Sequence, residues 1–290
     1  MSTETHITIE NQHFTAAIDL KGAQLSSLIR KSTGYEYIWQ RDPKYWTDSA
    51  PNLFPIVGHL NNGTYQYQQK TYRMPKHGIV RHEPFKVVEK SASHCQVAYS
   101  DTPKSREAYP FQFILLIDFL LNNEGLKITY TIQNKGDRIM PVGLGYHPAF
   151  AIDIEQYRHA DYEIVFDKTE SLDLYGLVDN SFGLRQKNYL NGNTIPLTAS
   201  LFDNDALIFT HINARKITLR RKTDNWFLTV DTGGAPHLGL WAKSAAPYVC
   251  IEPWYTYLDT PEATGDLFDK PGMFSVESGE ELEQYYEILI

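Results

Sequence analysis

Phe113-Ile114-Leu115-Leu116-Ile117-Asp118-Phe119-Leu120-Leu121 and Leu126-Lys127-Ile128-Thr129-Tyr130-Thr131-Ile132-Gln133 stand on either side of Asn122-Asn123-Glu124-Gly125. Two apolar arms around a turn-forming tetrapeptide predict an antiparallel hairpin. The figure recurs along the chain. Phe85–Glu89 and Cys95–Ser100 flank a polar turn, Lys216–Arg220 and Trp226–Val230 bracket Lys222-Thr223-Asp224-Asn225, and 63–74 carries Tyr65, Tyr67 and Tyr72 at strand spacing. Thr5–Ile9, Phe14–Leu20 and Glu36–Trp39 read as further strands, and Tyr285–Ile290 as a closing one. No dozen-residue window holds a capped 3.6-residue stripe. Strands every 8–12 residues with turns between them predict an all-β sandwich or barrel, and the length favours a large multi-sheet sandwich. Residues 167–198, rich in Asn, Gly and Leu, read as a long irregular excursion of the kind that helps shape a site.

The 290 residues suffice for one large β domain. Aromatics reach 13%, with 19 Tyr, which suits strands and suits a site that packs on ring-shaped ligands. The formal charge of −8 argues against nucleic acid or an anionic membrane as partner. The first residues show no basic-then-apolar signal pattern, and the longest apolar run, 111–121, falls short of the roughly 20 residues a membrane span needs. A cytoplasmic protein is expected. Two cysteines, Cys95 and Cys250, do not make a disulfide framework; buried, reduced thiols are expected, with Cys250 a packed side chain.

Four stretches carry chemistry. Tyr248-Val249-Cys250-Ile251-Glu252-Pro253-Trp254 reads as a buried strand ending in a carboxylate, which is costly there unless paired or functional. Read alone, it equally describes a Glu reaching solvent where the strand stops. His77 before Gly78 reads equally as a loop histidine. His147, in Gly143-Leu144-Gly145-Tyr146-His147-Pro148-Ala149-Phe150, has an aromatic setting beside two glycines. Asp203 and Asp205 precede an apolar strand and fit turn acids equally well. No nucleophile elbow, zincin helix, P-loop or paired Cys-x-x-Cys is present. His77, His147 and Glu252 are metal-ligand types, but their wide spacing gives no local signature, and no metal is assigned.

Taken in order, Asn52-Leu53-Phe54-Pro55-Ile56-Val57-Gly58, His77-Gly78-Ile79-Val80-Arg81, Gly145–Phe150, Asn204–Phe209 and Ile251–Trp254 resemble the aldose 1-epimerase (galactose mutarotase) family, and within it the bacterial LacX-like branch. The resemblance implies a single domain over 1–290 with the galactose mutarotase-like supersandwich fold, a large antiparallel β-sandwich with an open sugar cleft. It implies an isomerase that interconverts the α and β anomers of a free hexose by acid/base ring opening. No cofactor is implied; the partner is a small-molecule sugar, and the protein a monomer or homodimer. By position Glu252 resembles the general base and His147 the general acid. His77 resembles a second, sugar-contacting histidine, and Asp205 an acid that holds sugar hydroxyls, with Asp203 as a substitute. Asn52, His59, Arg81 and Trp254 complete the expected substrate-binding set; Trp241 fits cleft or core, with core the default.

The pattern also departs. His59 stands where mutarotases proper carry an arginine, which leaves open a non-catalytic carbohydrate-binding or sensing protein. The branch acting on hexose 6-phosphates is similar at His77–Arg81, yet Trp46–Ala50 lacks that branch's basic residue, so a phosphate clamp is incomplete. Ring opening needs one group to take the C1-hydroxyl proton and another to protonate the ring oxygen. An ionised Glu252 with a raised pKa suits the first task. His147, its charged form favoured by a nearby carboxylate, suits the second.

Overall fold

The computed structural model describes residues 5–178 and 181–290. The hairpin predicted over 113–133 forms from strands Phe113–Leu121 and Gly125–Asn134, with Leu115 opposite Ile132 and Ile117 opposite Tyr130. Asn122 caps the turn: its Oδ1 accepts from the Glu124 and Gly125 amides at 2.7 and 2.9 Å. Burial alternates along both arms, as a sheet covered on one face requires.

This hairpin belongs to a 15-stranded sheet in which every pairing is antiparallel. On one side follow His94–Ser100 and the edge strand Lys86–Lys90. On the other side come the closing strand Glu281–Leu289, Phe227–Asp231, Lys216–Arg221 and the long strand Tyr162–Val178. The sheet then runs through Leu207–Thr210, His237–Trp241, Tyr248–Trp254 and Gly145–Tyr146 to Asn52–Leu53. A four-stranded sheet of His6–Glu10, Phe14–Asp19, Gln24–Arg30 and Tyr35–Glu36 packs on it, with Ile7, Ile18 and Leu28 sharing one apolar core with Tyr130, Phe150 and Val249. The fold is therefore the all-β antiparallel sandwich expected.

Two expectations are corrected. Residues 167–178 and 181–196 are not irregular: they lie in two long antiparallel strands, Tyr162–Val178 against Ser181–Pro196, whose register shifts three times, while 179–180 lie outside the described residues. Those bulges break the alternation a strand reading depends on. Gln24–Arg30, with two serines at its centre, also forms a strand that sequence reading passed over. One short helix, Pro103–Ala108, is capped by the Thr102 side chain accepting from Ser105 N. Both thiols are free and buried. Among the described residues no helix is long and apolar enough to cross a membrane.

Candidate active site

Strand register brings the chemistry together. Gly145 lies opposite Trp254, and Ala149 opposite Cys250. Between these two points the same register sets His147 opposite Glu252. Pro148 offers no amide, but its carbonyl still accepts from Ile251 N at 3.2 Å and keeps the strands in step. Residues opposite one another in an antiparallel pair share a face. His147 Nε2 accordingly stands 3.4 Å from Glu252 Oε1, with both side chains almost wholly buried.

On the other flank Glu252 faces Gly239, and Gly239 faces Ile208. A glycine here makes room: a Cβ at Gly239 would lie 2.5 Å from Cζ2 of Trp254, and one at Gly145 would lie 2.9 Å from its Cδ1. The indole of Trp254 thus lies across two glycines, one on each neighbouring strand. Its Nε1 is buried without a well-aligned acceptor, yet sits close enough to Glu252 to favour the charged carboxylate.

Above this floor opens a cavity of about 570 Å³, lined by His59, His77, Arg81, His147, Asp205, Glu252 and Trp254 among others. That volume falls within the range of roughly 300–1,000 Å³ usual for small-molecule sites. His77 reaches it from a left-handed backbone position, φ 65°. Its amide donates to Gly58 O at 2.8 Å, and its Nδ1 accepts from Gly58 N at 3.2 Å. Nδ1 is thereby an acceptor, which leaves the proton on Nε2. Asp205, also left-handed at φ 75°, is exposed on the cavity rim and accepts from Ala206 N at 2.8 Å. Asp203 lies on the same rim but accepts from Ser244 Oγ at 2.6 Å.

Seven of the eight expected site residues therefore line one cavity. Asn52 does not. Its Nδ2 donates to the Gly22 and Ala23 carbonyls at 2.8 and 3.0 Å, and its Oδ1 accepts from Tyr130 Oη at 2.5 Å. A buried amide so fully engaged ties the chain together and has nothing left for a ligand. Trp241, by default a core residue, instead lines the cavity edge-on to His147, the ring centroids 5.8 Å apart. Arg81 lines it too, but its Nε and Nη2 donate to Asp48 Oδ2 at 3.1 and 2.5 Å. Sequence reading missed Trp46, whose ring lies 5.0 Å from that of His147, and Lys76 and Leu177 on the cavity wall. Lys76 was legible as the neighbour of His77. Leu177 sits in the long strand Tyr162–Val178, so that excursion does border the site.

The electrostatics correct a further expectation. Burial, with the Arg81 charge next, pushes His147 down to about 3, and the Glu252 carboxylate does not hold it charged. Its Nδ1 is buried without a well-aligned partner among the described residues, and the support its own backbone carbonyl gives the charged ring is outweighed by burial. Burial raises Glu252 well above the carboxylate range; Lys76, Trp254 and Arg81 oppose this and Asp205 adds to it. His77 is held well below its usual value by burial and by His147. The two shifts at the pair describe one preference. Glu-COOH with neutral His and Glu⁻ with His⁺ contain the same protons, and the dry floor favours the uncharged arrangement.

The aldose 1-epimerase family model matches residues 5–268. The chromosomal LacX protein of Lactococcus lactis is 30% identical over 298 residues, covering 98% of this chain and 99% of that protein. A galactose mutarotase related enzyme from Lactobacillus acidophilus superposes with a TM-score of 0.92 at 31% identity, covering 98% of this chain and 96% of its own. A galactose mutarotase-like protein from Lactobacillus casei gives 0.91 at 29% identity, with 98% and 99% covered.

Proposed function

The chain belongs to the aldose 1-epimerase family, and from that premise we propose that it interconverts the α and β anomers of a free hexose. The observation that carries this reading is the pair His147 Nε2 and Glu252 Oε1, 3.4 Å apart on the floor of an open cavity. Mutarotation needs one mobile proton shared by two groups on different sides of C1. A carboxyl raised by burial beside an imidazole lowered by it suits a pair that passes one proton between them.

A sugar bound over Trp254 sets its C1 hydroxyl against Glu252 and its ring oxygen against His147. The hydroxyl joins the Trp254 indole and the Lys76 charge in favouring the carboxylate. The proton then crosses to His147. Glu252 takes the C1-hydroxyl proton, and His147 protonates the ring oxygen as the C1–O5 bond breaks. After rotation about C1–C2 the same two groups reverse their roles, and closure restores the starting state. His77, its Nε2–H free to donate, holds a sugar oxygen, and Asp205 accepts from hydroxyls at the rim.

A neutral sugar fits better than a 6-phosphate, because the guanidinium of Arg81 is already committed to Asp48. Polarimetry on freshly dissolved α-galactose and α-glucose tests the proposal: relaxation should accelerate in proportion to protein added. Sugar binding by calorimetry with no acceleration for any aldose would instead assign a binding or sensing role.

A further inference from the structure

The floor beneath the catalytic pair contains a third chemical group that ring opening does not use. Cys250 lies two residues before Glu252 on the same strand, hence on the same face. Among the described residues, His147, Cys250 and Glu252 form the one group of three such side chains whose donor atoms all lie within 4.8 Å of one another. The geometry points to a site for a thiophilic divalent cation, zinc or cadmium, bound by His147 Nε2, Cys250 Sγ and a Glu252 oxygen, with the fourth position open to the cavity.

Three observations support it. Two ligands about 2.0–2.1 Å from a tetrahedral ion stand about 3.3 Å apart, and His147 Nε2 and Glu252 Oε1 are 3.4 Å apart. A neutral imidazole, a thiolate and a carboxylate sum to −2, so a divalent ion leaves the buried site neutral overall. The mixed N, S, O set suits zinc and rejects magnesium and calcium, which take oxygen ligands alone. His147 Nδ1 has no well-aligned partner among the described residues to orient the ring, so binding will be weaker than at a structural zinc site. The bound ion occupies both catalytic groups, making the site inhibitory, with thiol and carboxyl each giving up a proton to solvent.

Cobalt titration of the reduced, chelator-treated protein tests this, and the readout does not depend on any enzymatic activity. One Co²⁺ per chain should bind, with a thiolate-to-cobalt charge-transfer band in the near ultraviolet that zinc abolishes. Cys250→Ser should remove the band and weaken binding at least tenfold, while Cys95→Ser leaves both unchanged. Glu252→Gln should keep the band but shift its titration at least tenfold, which decides the matter if Cys250→Ser fails to fold. No band, a band surviving Cys250→Ser, or one lost only with Cys95 would overturn the assignment. If sugar relaxation is catalysed, zinc should inhibit the wild type at tenfold lower concentration than Cys250→Ser. If it is not catalysed, the cobalt spectra still decide.

Discussion

Glu252 is placed at a cost to the fold. It is 2% exposed, and burial outweighs the Lys76 and Arg81 charges, so its carboxyl is raised. A raised carboxyl contributes stability at low pH and loses it as pH rises through the folded-state value. Glu252→Gln should therefore raise the urea midpoint at pH 8 while lowering kcat by roughly 10²–10⁴. A lower midpoint would mean that the charged form is well satisfied. The charges around it predict opposite shifts. Activity falls at high pH when the pair loses its one proton. Lys76 opposes the raised value and Asp205 adds to it. Lys76→Gln should move the alkaline limb of kcat/KM up in pH, and Asp205→Asn should move it down; a common direction would refute the electrostatic account. Glu252, His147, His77 and Asp205 line one cavity; read singly each fits a turn or a strand end equally well, and only the ordered set of stretches, through its resemblance to a family, singled them out. The protonation of the pair was not legible in the sequence. A nearby carboxylate favours a charged histidine, but only burial depth decides which effect wins, and depth is a tertiary fact. Asn52 failed for the same reason: a conspicuous polar side chain is as useful for tying loops as for holding a ligand.

The strand Tyr248–Trp254 works as an element because its neighbours leave it space. Every residue in it is buried, so its even positions, Cys250, Glu252 and Trp254, need a vacant face to serve a cavity. Gly145 and Gly239 supply it. Gly239→Ala requires no unusual backbone angle, so its effect is purely steric. A Cβ 2.5 Å from Trp254 must push the indole away, at about 1–3 kcal/mol of overpacking. The expected outcome is a lower unfolding midpoint together with a large loss of kcat/KM, since the displaced indole leaves Glu252. Wild-type kcat/KM in a destabilised Gly239→Ala would show that Trp254 is only scaffold. The hairpins centred on 122–125 and on 222–225 were readable from sequence because turn residues and alternation coincide there. The pairing of Tyr162–Val178 with Ser181–Pro196 was not, because three register shifts erase the period of two.

At the scale of the whole molecule, the buried histidines set the acid stability. The expectation of an all-β sandwich rested on local turns; which histidines end up dry depends on how the sheets pack. Three of them do. Burial carries His147 down to about 3 and His237 to about 4, and holds His77 well below its usual value. A histidine lowered in the folded state stabilises above its unfolded pKa near 6.5, and that contribution is lost as pH falls. Glu252, raised, acts with the opposite sign over the same window. Below about pH 6.5 the unfolded chain therefore takes up histidine protons that the folded one refuses, and the raised Glu252 offsets part of this. Each net proton is worth about 1.4 kcal/mol per pH unit, so stability should fall on acidification below about pH 6.5. His237 accepts from the His211 amide through Nδ1 and takes no part in the pair, which makes His237→Gln a clean probe: the amide oxygen can still accept, and one titrating group is gone. Urea midpoints of the wild type at pH 5.0 and 6.5 should differ markedly, and the difference should shrink in His237→Gln. A midpoint that holds steady or rises on acidification would mean that these histidines carry protons in the folded protein, and the dry-floor account of His147 would fall with it.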